Sequence, residues 1–175
     1  MMARRGVGFP GRVVLLLCLA WLLQVGCARV AEAPNKSADV ATAVSDGGQC
    51  QPTAADALGP FYVAGAPERN QVGEGYVLRG VVRSAVDCAP IAGARIEFWL
   101  VGPDGVYGDD YRATWFADAD GAYRFESHVP PPYEGRPPHI HLLVSAPGYA
   151  ELVTQHYPAG GAAAGLMDLV LVPGR

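Results

Sequence analysis

At 175 residues the chain has room for one domain of ordinary size and a short appendage. With 50% hydrophobic and 17% charged residues, 22 Gly and 15 Pro, it reads as a turn-rich globular domain and not as a disordered or coiled-coil chain. A formal charge of −4, with no Lys/Arg run beyond the N-terminal region, argues against a nucleic-acid partner.

The first residues have the pattern of a targeting segment. Arg4, Arg5 and Arg12 precede an apolar run over residues 13–23. That run is too short to span a bilayer but suits a signal-peptide core. It ends in Gln24-Val25-Gly26-Cys27, similar to a bacterial lipoprotein processing site, although such sites usually carry Leu where Gln24 stands. Cys27 is then the expected lipidated first residue of the mature chain, and residues 1–26 the leader. The alternative is a cleaved secretory signal with release into the periplasm or medium. Either way the domain is expected to be exported. Without residues 1–26 the chain has 10 basic and 17 acidic residues, a formal charge of −7, which does not favour an anionic polymer as partner. Residues 28–49 contain no aromatic residue, no Leu and no Ile. Such a stretch buries too little to order itself, so residues 27–49 are expected to form a flexible tether.

Beyond the leader and its processing site two cysteines remain, Cys50 and Cys88. In an oxidising compartment they are expected to form a disulfide tying the start of the domain to the loop after its first strand. Metal ligation by this pair lacks the close spacing of a cysteine motif.

The domain is expected over residues 50–175. Residues 53–62 are punctuated by Gly and Pro and read as an ordered loop. Strands are predicted over 76–83, 95–101, 111–117, 122–128, 139–145, 149–157 and 167–172. The second alternates Ile96, Phe98 and Leu100 against Arg95, Glu97 and Trp99. Between the third and fourth, Asp118-Ala119-Asp120-Gly121 is a hairpin-turn signal; as a calcium loop it lacks the remaining ligand positions. No window offers ten residues of capped helical periodicity. About seven or more short strands separated by turns predict an all-β fold, an antiparallel β-sandwich.

Chemistry concentrates in Tyr133-Glu134-Gly135-Arg136-Pro137-Pro138-His139-Ile140-His141. Histidines two apart on a strand share one face, with Cβ atoms roughly 7 Å apart, so both imidazoles can reach one metal ion. Two histidines do not complete a site. His128 and His156 have no motif-like spacing to them. Tyr107, in a turn after the Trp99 strand, and Tyr133 are candidate donors, although a lone tyrosine is more often a packed ring and Arg136 could be an ordinary surface arginine.

The ordered set of motifs resembles the intradiol ring-cleavage dioxygenases, the family of catechol 1,2-dioxygenase and protocatechuate 3,4-dioxygenase, and in particular their small exported bacterial members. The matching pieces are Leu-Gly-Pro-Phe-Tyr at 58–62, Ile-Glu-Phe-Trp at 96–99 and Asp-Gly-Val-Tyr at 104–107. Further along come Asp-Ala-Asp-Gly-Ala-Tyr-Arg-Phe at 118–125, Pro-Pro-Tyr at 131–133, Arg-Pro-Pro-His-Ile-His at 136–141 and Val-Thr-Gln-His-Tyr at 153–157. The resemblance implies a mononuclear non-haem Fe(III) ion held by Tyr107, Tyr133, His139 and His141. It implies cleavage of a catechol-type ring with O2 to a cis,cis-muconate-type product, with Tyr133 giving way to substrate and accepting its proton. Arg136 would stabilise negative charge, while Gln155 and Tyr62 would border the pocket. The segment after Tyr157 is shorter than in larger relatives, and the helical N-terminal domain of the cytosolic catechol enzymes has no counterpart here. Two other readings remain. One is a non-catalytic, exported transthyretin-like β-sandwich binding module, which leaves Arg-Pro-Pro-His-Ile-His without a purpose. The other is an exported zinc- or copper-binding protein, which leaves both tyrosines without one.

Overall fold

The computed structural model describes residues 50–175. The leader, Cys27 and the tether expected over residues 1–49 lie outside the described residues. Eight strands form: β1 (Tyr76–Ser84), β2 (Arg95–Trp99), β3 (Arg112–Phe116), β4 (Ala122–Ser127), β5 (Ile140–Ser145), β6 (Leu152–His156), β7 (Ala164–Leu166) and β8 (Leu169–Leu171). They build two four-stranded sheets. One runs β4-β1-β7 with β8 also pairing β1, and the other runs β3-β2-β5-β6.

The core lies between the sheets because each strand turns alternate side chains inward. β1 supplies Tyr76, Leu78 and Val82, β4 supplies Tyr123 and Phe125, and β8 supplies Leu169 and Leu171. Across from them stand Ile96 and Phe98 of β2, and Ile140, Leu142 and Val144 of β5. Phe98 and Phe125 stack across the gap, with ring centroids 4.1 Å apart and planes 2° from parallel.

Three features depart from the sequence expectation. The Asp118–Gly121 turn is built as predicted, with Asp118 Oδ1 accepting from the amides of Asp120 and Ala122, both at 2.9 Å. It joins β3 of one sheet to β4 of the other, however, and so makes a corner instead of a hairpin. Gly121, at φ +72°, is required there, because a Cβ would sit 2.8 Å from the Val82 carbonyl oxygen. Second, the Ala/Gly-rich stretch after Tyr157 contains β7, which pairs with β1 in parallel, as does β8. Composition hides this strand because its value is close approach: a Cβ at Gly165 would lie 2.3 Å from Tyr76 Oη and 2.6 Å from His156 Nε2.

The third departure matters most for the site. β5 is buried on both faces, and β2 nearly so. Residues 53–69 run across the outer face of the second sheet from one edge to the other. At the β6 edge the Asp56 amide donates to the Val153 carbonyl (2.9 Å). At the β3 edge the Thr114 amide donates to Pro67 O (2.8 Å) and the Arg69 amide to Thr114 O (3.0 Å). This strap caps both exposed edges, which would otherwise leave backbone groups unpaired. It carries the 53–62 loop of the sequence reading.

Cys50 and Cys88 are disulfide-bonded, closing a sequence separation of 38 residues with Cα atoms 5.2 Å apart. A loop of that size restricts the unfolded chain, so a Cys50→Ser/Cys88→Ser double variant is expected to lose about 2–4 kcal/mol in urea denaturation. At the far end of the sandwich, Tyr76 Oη and His156 Nε2 share a 2.6 Å hydrogen bond. Burial holds His156 below the ordinary histidine value of 6.5. Below that pH the unfolded chain takes up this proton more readily than the folded one. The stability is therefore present above pH 6.5 and is lost as pH falls from there toward the folded-state value. Denaturation of the metal-free protein should show a midpoint falling with acidity over that range, and a shallower fall in His156→Gln. A variant as steep as the parent would assign the slope to other groups.

Candidate metal centre

The site forms on the outer face of the second sheet, underneath the strap. Strand register aligns one row across all four strands: Arg112 opposite Trp99, Trp99 opposite His141, and His141 opposite Gln155. Trp99 stacks on His141 with centroids 4.8 Å apart and planes 6° from parallel. From the strap, Gly59 closes over the same imidazole. A Cβ there would lie 3.1 Å from His141 Cε1, and the backbone sits at φ +73°. His141 is thus fixed from two sides. Burial, then the neighbouring His139 and Arg136, push its pKa down to about 4. The ring is held neutral, the form in which imidazole ligates a metal.

His139 lies just before β5. Its Nδ1 is 2.8 Å from the Pro137 carbonyl oxygen. A carbonyl only accepts, so Nδ1 donates to it, and the other ring nitrogen, Nε2, faces the cluster. The two imidazole centroids are 4.8 Å apart.

Tyr107 reaches the same point from the loop of the β2–β3 hairpin. That loop is tightened by hydrogen bonds from the Gly102 amide to Val106 O (2.8 Å) and from the Gly105 amide to Gly102 O (2.9 Å). Tyr107 Oη lies 3.1 Å from His139 Nε2 and 3.4 Å from His141 Nε2. Phe61 of the strap stacks on the Tyr107 ring at 4.4 Å and 12°. Phe61 itself is held where Arg112 Nη1 donates to its carbonyl at 2.6 Å. Burial raises the Tyr107 pKa above the ordinary phenol value. This phenol ionises only beside a cation that outweighs the burial.

Tyr133 and Arg136 flank a two-residue turn, with the Tyr133 amide donating to Arg136 O (3.2 Å) and the Arg136 amide to Tyr133 O (2.9 Å). Glu134 at φ 47° and Gly135 at φ 78° give the positive φ pair of a type I′ turn. The turn sets the Tyr133 ring edge-on to Tyr107, with centroids 5.2 Å apart, and to Phe61 at 5.6 Å. It also brings Arg136 Nη1 to 3.4 Å from His139 Nε2.

Of the residues singled out from sequence, His139, His141, Tyr107, Tyr133 and Arg136 are therefore gathered in one cluster. Gln155 stands behind Arg136, accepting from its Nη2 at 2.6 Å and donating to the Ala57 carbonyl at 2.6 Å. Tyr62 is one ring further away. Its ring packs on Trp99 at 5.2 Å and its hydroxyl donates to Glu97 at 3.2 Å. The other two histidines serve packing: His128 lies against Tyr111 and 2.9 Å from Val101 O, while His156 pairs with Tyr76. Sequence reasoning gave no individual role to Gly59, Phe61, Trp99, Asp56 or Tyr157. All but Asp56 stand inside quoted motifs, yet nothing in their spacing relates them to His139 and His141.

Among the described residues no group of three or more His, Cys, Asp or Glu side chains converges. The oxygen that meets this imidazole pair is a phenol, Tyr107 Oη, with the Tyr133 ring beside it. A pair of imidazoles with hard phenolate oxygens would suit a ferric ion, and Tyr107 Oη lies within 3.4 Å of both Nε2 atoms.

A family model described as dioxygenase matches residues 59–170, which include all four candidate donors. The chain is 34% identical over 137 residues to a chlorocatechol 1,2-dioxygenase from a Pseudomonas species, covering 59% of this chain and 54% of that protein. It is 36% identical over 138 residues to a catechol 1,2-dioxygenase from another Pseudomonas strain, covering 58% and 45%. A solved structure is also similar, that of the dioxygenase domain of a dioxygenase carbohydrate-binding protein fusion from Streptomyces sp. SirexAA-E. Its TM-score is 0.64 at 28% identity, covering 71% of this chain and 100% of that one. The fold is of the dioxygenase class. The chain belongs to the intradiol ring-cleavage dioxygenase family. It spans about half the length of the curated relatives it matches.

Because Gly59 combines a left-handed backbone with contact to His141, Gly59→Ala is expected to cost the metal-free protein about 1–2 kcal/mol. It should also shift the His141 imidazole resonances, whereas an unchanged His141 spectrum would remove the packing role assigned to Gly59.

Proposed function

We propose that residues 50–175 form a non-haem iron dioxygenase that opens a catechol-type ring with O2, between its two hydroxylated carbons, to a cis,cis-muconate-type diacid. The observation that carries this reading is the approach of Tyr107 Oη to within 3.1 and 3.4 Å of the two Nε2 atoms, beside a second phenol. Tyr107, Tyr133, His139 and His141 would hold a single Fe(III). When bound, that ion supplies Lewis-acid activation of the catecholate and a template for O2 chemistry.

The remaining work falls to protein groups. Tyr107, clamped by Phe61, is the fixed phenol. Tyr133, on the turn and more open, is the one that can swing aside, and its phenolate oxygen takes a proton from an incoming catechol hydroxyl. Arg136 Nη1 puts a guanidinium at the mouth of the cluster, where it favours the anionic catecholate and the charge that develops during ring opening. Gln155, with both amide ends engaged, steadies Arg136. Tyr62 and Trp99 back the His141 ring and border the pocket indirectly. The partners are a small catechol and O2, with no nucleic acid. Export, with a lipid anchor at Cys27 or release, is part of the same proposal, and the Cys50–Cys88 disulfide supports it.

The ferric protein should be red-brown from tyrosinate charge transfer and should consume oxygen with a member of a catechol panel. Tyr107→Phe, which leaves Tyr133 as the one remaining phenolate, is expected to weaken and shift the band and lower turnover by more than about 100-fold. A protein that stays colourless and iron-free after reconstitution would refute the proposal.

A further inference from the structure

Arg136 is held by more than Gln155. Its Nη2 donates to Gln155 Oε1 at 2.6 Å and to Tyr157 Oη at 3.1 Å. An Nη group has two hydrogens, so this nitrogen is fully used, and Nη1 is the one directed at the His139 Nε2 side. Tyr157 can accept from Arg136 only while its own hydrogen points elsewhere. It points to Asp56 Oδ2, 2.8 Å away, closer than the 3.1 Å to Gln155 Oε1. A carboxylate is also the stronger acceptor. Asp56 is fixed in turn: its amide donates to Val153 O at 2.9 Å, and its Oδ1 accepts the Ala57 amide at 2.6 Å. Tyr157 is 43% exposed, so the hydroxyl does not need these partners for burial. Its ring stands 6.2 Å from that of His139, at the rim of the cluster.

We propose that Tyr157 and Asp56 are positioning residues for Arg136. Asp56 sets the Tyr157 hydroxyl so that a lone pair faces the guanidinium, and Tyr157 with Gln155 occupies Nη2, leaving Nη1 aimed at the place where a substrate oxygen would sit. Without the carboxylate, the hydroxyl hydrogen turns toward Gln155 Oε1 or Arg136, and the clamp loses a bond. The strap that holds Gly59 and Phe61 against the donors thereby also orients the cationic group. The catalytic consequence rests on the ring-cleavage reading, whereas the clamp is a property of the metal-free fold, so the two can fail separately.

The test compares the parent, Tyr157→Phe and Asp56→Ala. In metal-free, nitrogen-15-labelled protein, NMR of the Arg136 guanidinium reads rotation about its Cζ–Nε bond. The parent should show resolved Nη signals, and both variants an exchange faster by roughly tenfold, the loss of one hydrogen bond to a charged group. In the iron-loaded protein, kcat for oxygen uptake with catechol should fall by roughly tenfold. Guanidinium exchange as slow in Tyr157→Phe as in the parent would overturn the proposal, and parent-like exchange confined to Asp56→Ala would overturn Asp56's part in it. If the iron-loaded parent cleaves no catechol, the ring-cleavage reading falls, and the guanidinium spectra still decide the clamp.

Discussion

The structure depends on the covering of one sheet's outer face by residues 53–69. A β-sandwich needs only its inner faces buried, and an outer face is ordinarily solvated. Here the outer row Arg112, Trp99, His141 and Gln155 is buried because the strap lies over it. Without that cover the two imidazoles would sit on an open sheet surface, hydrated and free to change rotamer. Under it, Trp99 and Gly59 hold His141, Phe61 holds Tyr107, and Ala57 holds Gln155. The cover also excludes water, which strengthens electrostatic interactions among the groups beneath it.

The same arrangement explains an unusual polar content for a buried layer. Glu97 is buried, yet its carboxylate is met by Arg95 and by the Tyr62 hydroxyl. Arg112 is buried, and Phe61 O accepts one of its hydrogens. Thr114 on the outer face ties its hydroxyl to the Ala66 carbonyl, and Thr154, on the inner face of the edge strand β6, ties its own to the Ala54 carbonyl, each at 2.9 Å. The strap has no regular secondary structure of its own, so its carbonyls need donors, and the outer face of the sheet supplies them. Several polar residues on that face and the irregular segment above it thus bond to one another. Site rigidity and strap adhesion are therefore the same set of bonds.

Each candidate donor arrives from a different local solution. Register delivers His141 beside Trp99, a type I′ turn delivers Tyr133 and Arg136 together, and a hairpin loop delivers Tyr107. Only the two histidines share a strand neighbourhood. The sandwich acts as the rigid support and the loops carry chemistry, in keeping with the general division of labour between scaffold and connection.

Much of this was legible in the chain itself. Alternation in the Ile96, Phe98 and Leu100 stretch marks a strand with an inward apolar face, and the spacing of His139 and His141 puts both on one side because strand side chains alternate with period two. The type of each candidate donor is also a property of sequence. What sequence could not express is what lies opposite. The Asp118-Ala119-Asp120-Gly121 turn is encoded locally, but its strands part between the two sheets, and Gly121 packs beneath the Val82 carbonyl, neither of which the turn itself dictates. β7 escapes composition because Gly165 contributes the absence of a side chain. Gly59, Phe61, Asp56 and Tyr157 acquire meaning only once the strap crosses the sheet, since contacts between residues far apart in the chain, such as Gln155 with Ala57 98 positions earlier, leave no periodic trace. Local bonding rules act over a few residues and can be read in order along the chain. The convergence of Tyr107 on two imidazoles is decided by packing, which relates residues by distance in space and not by place in sequence.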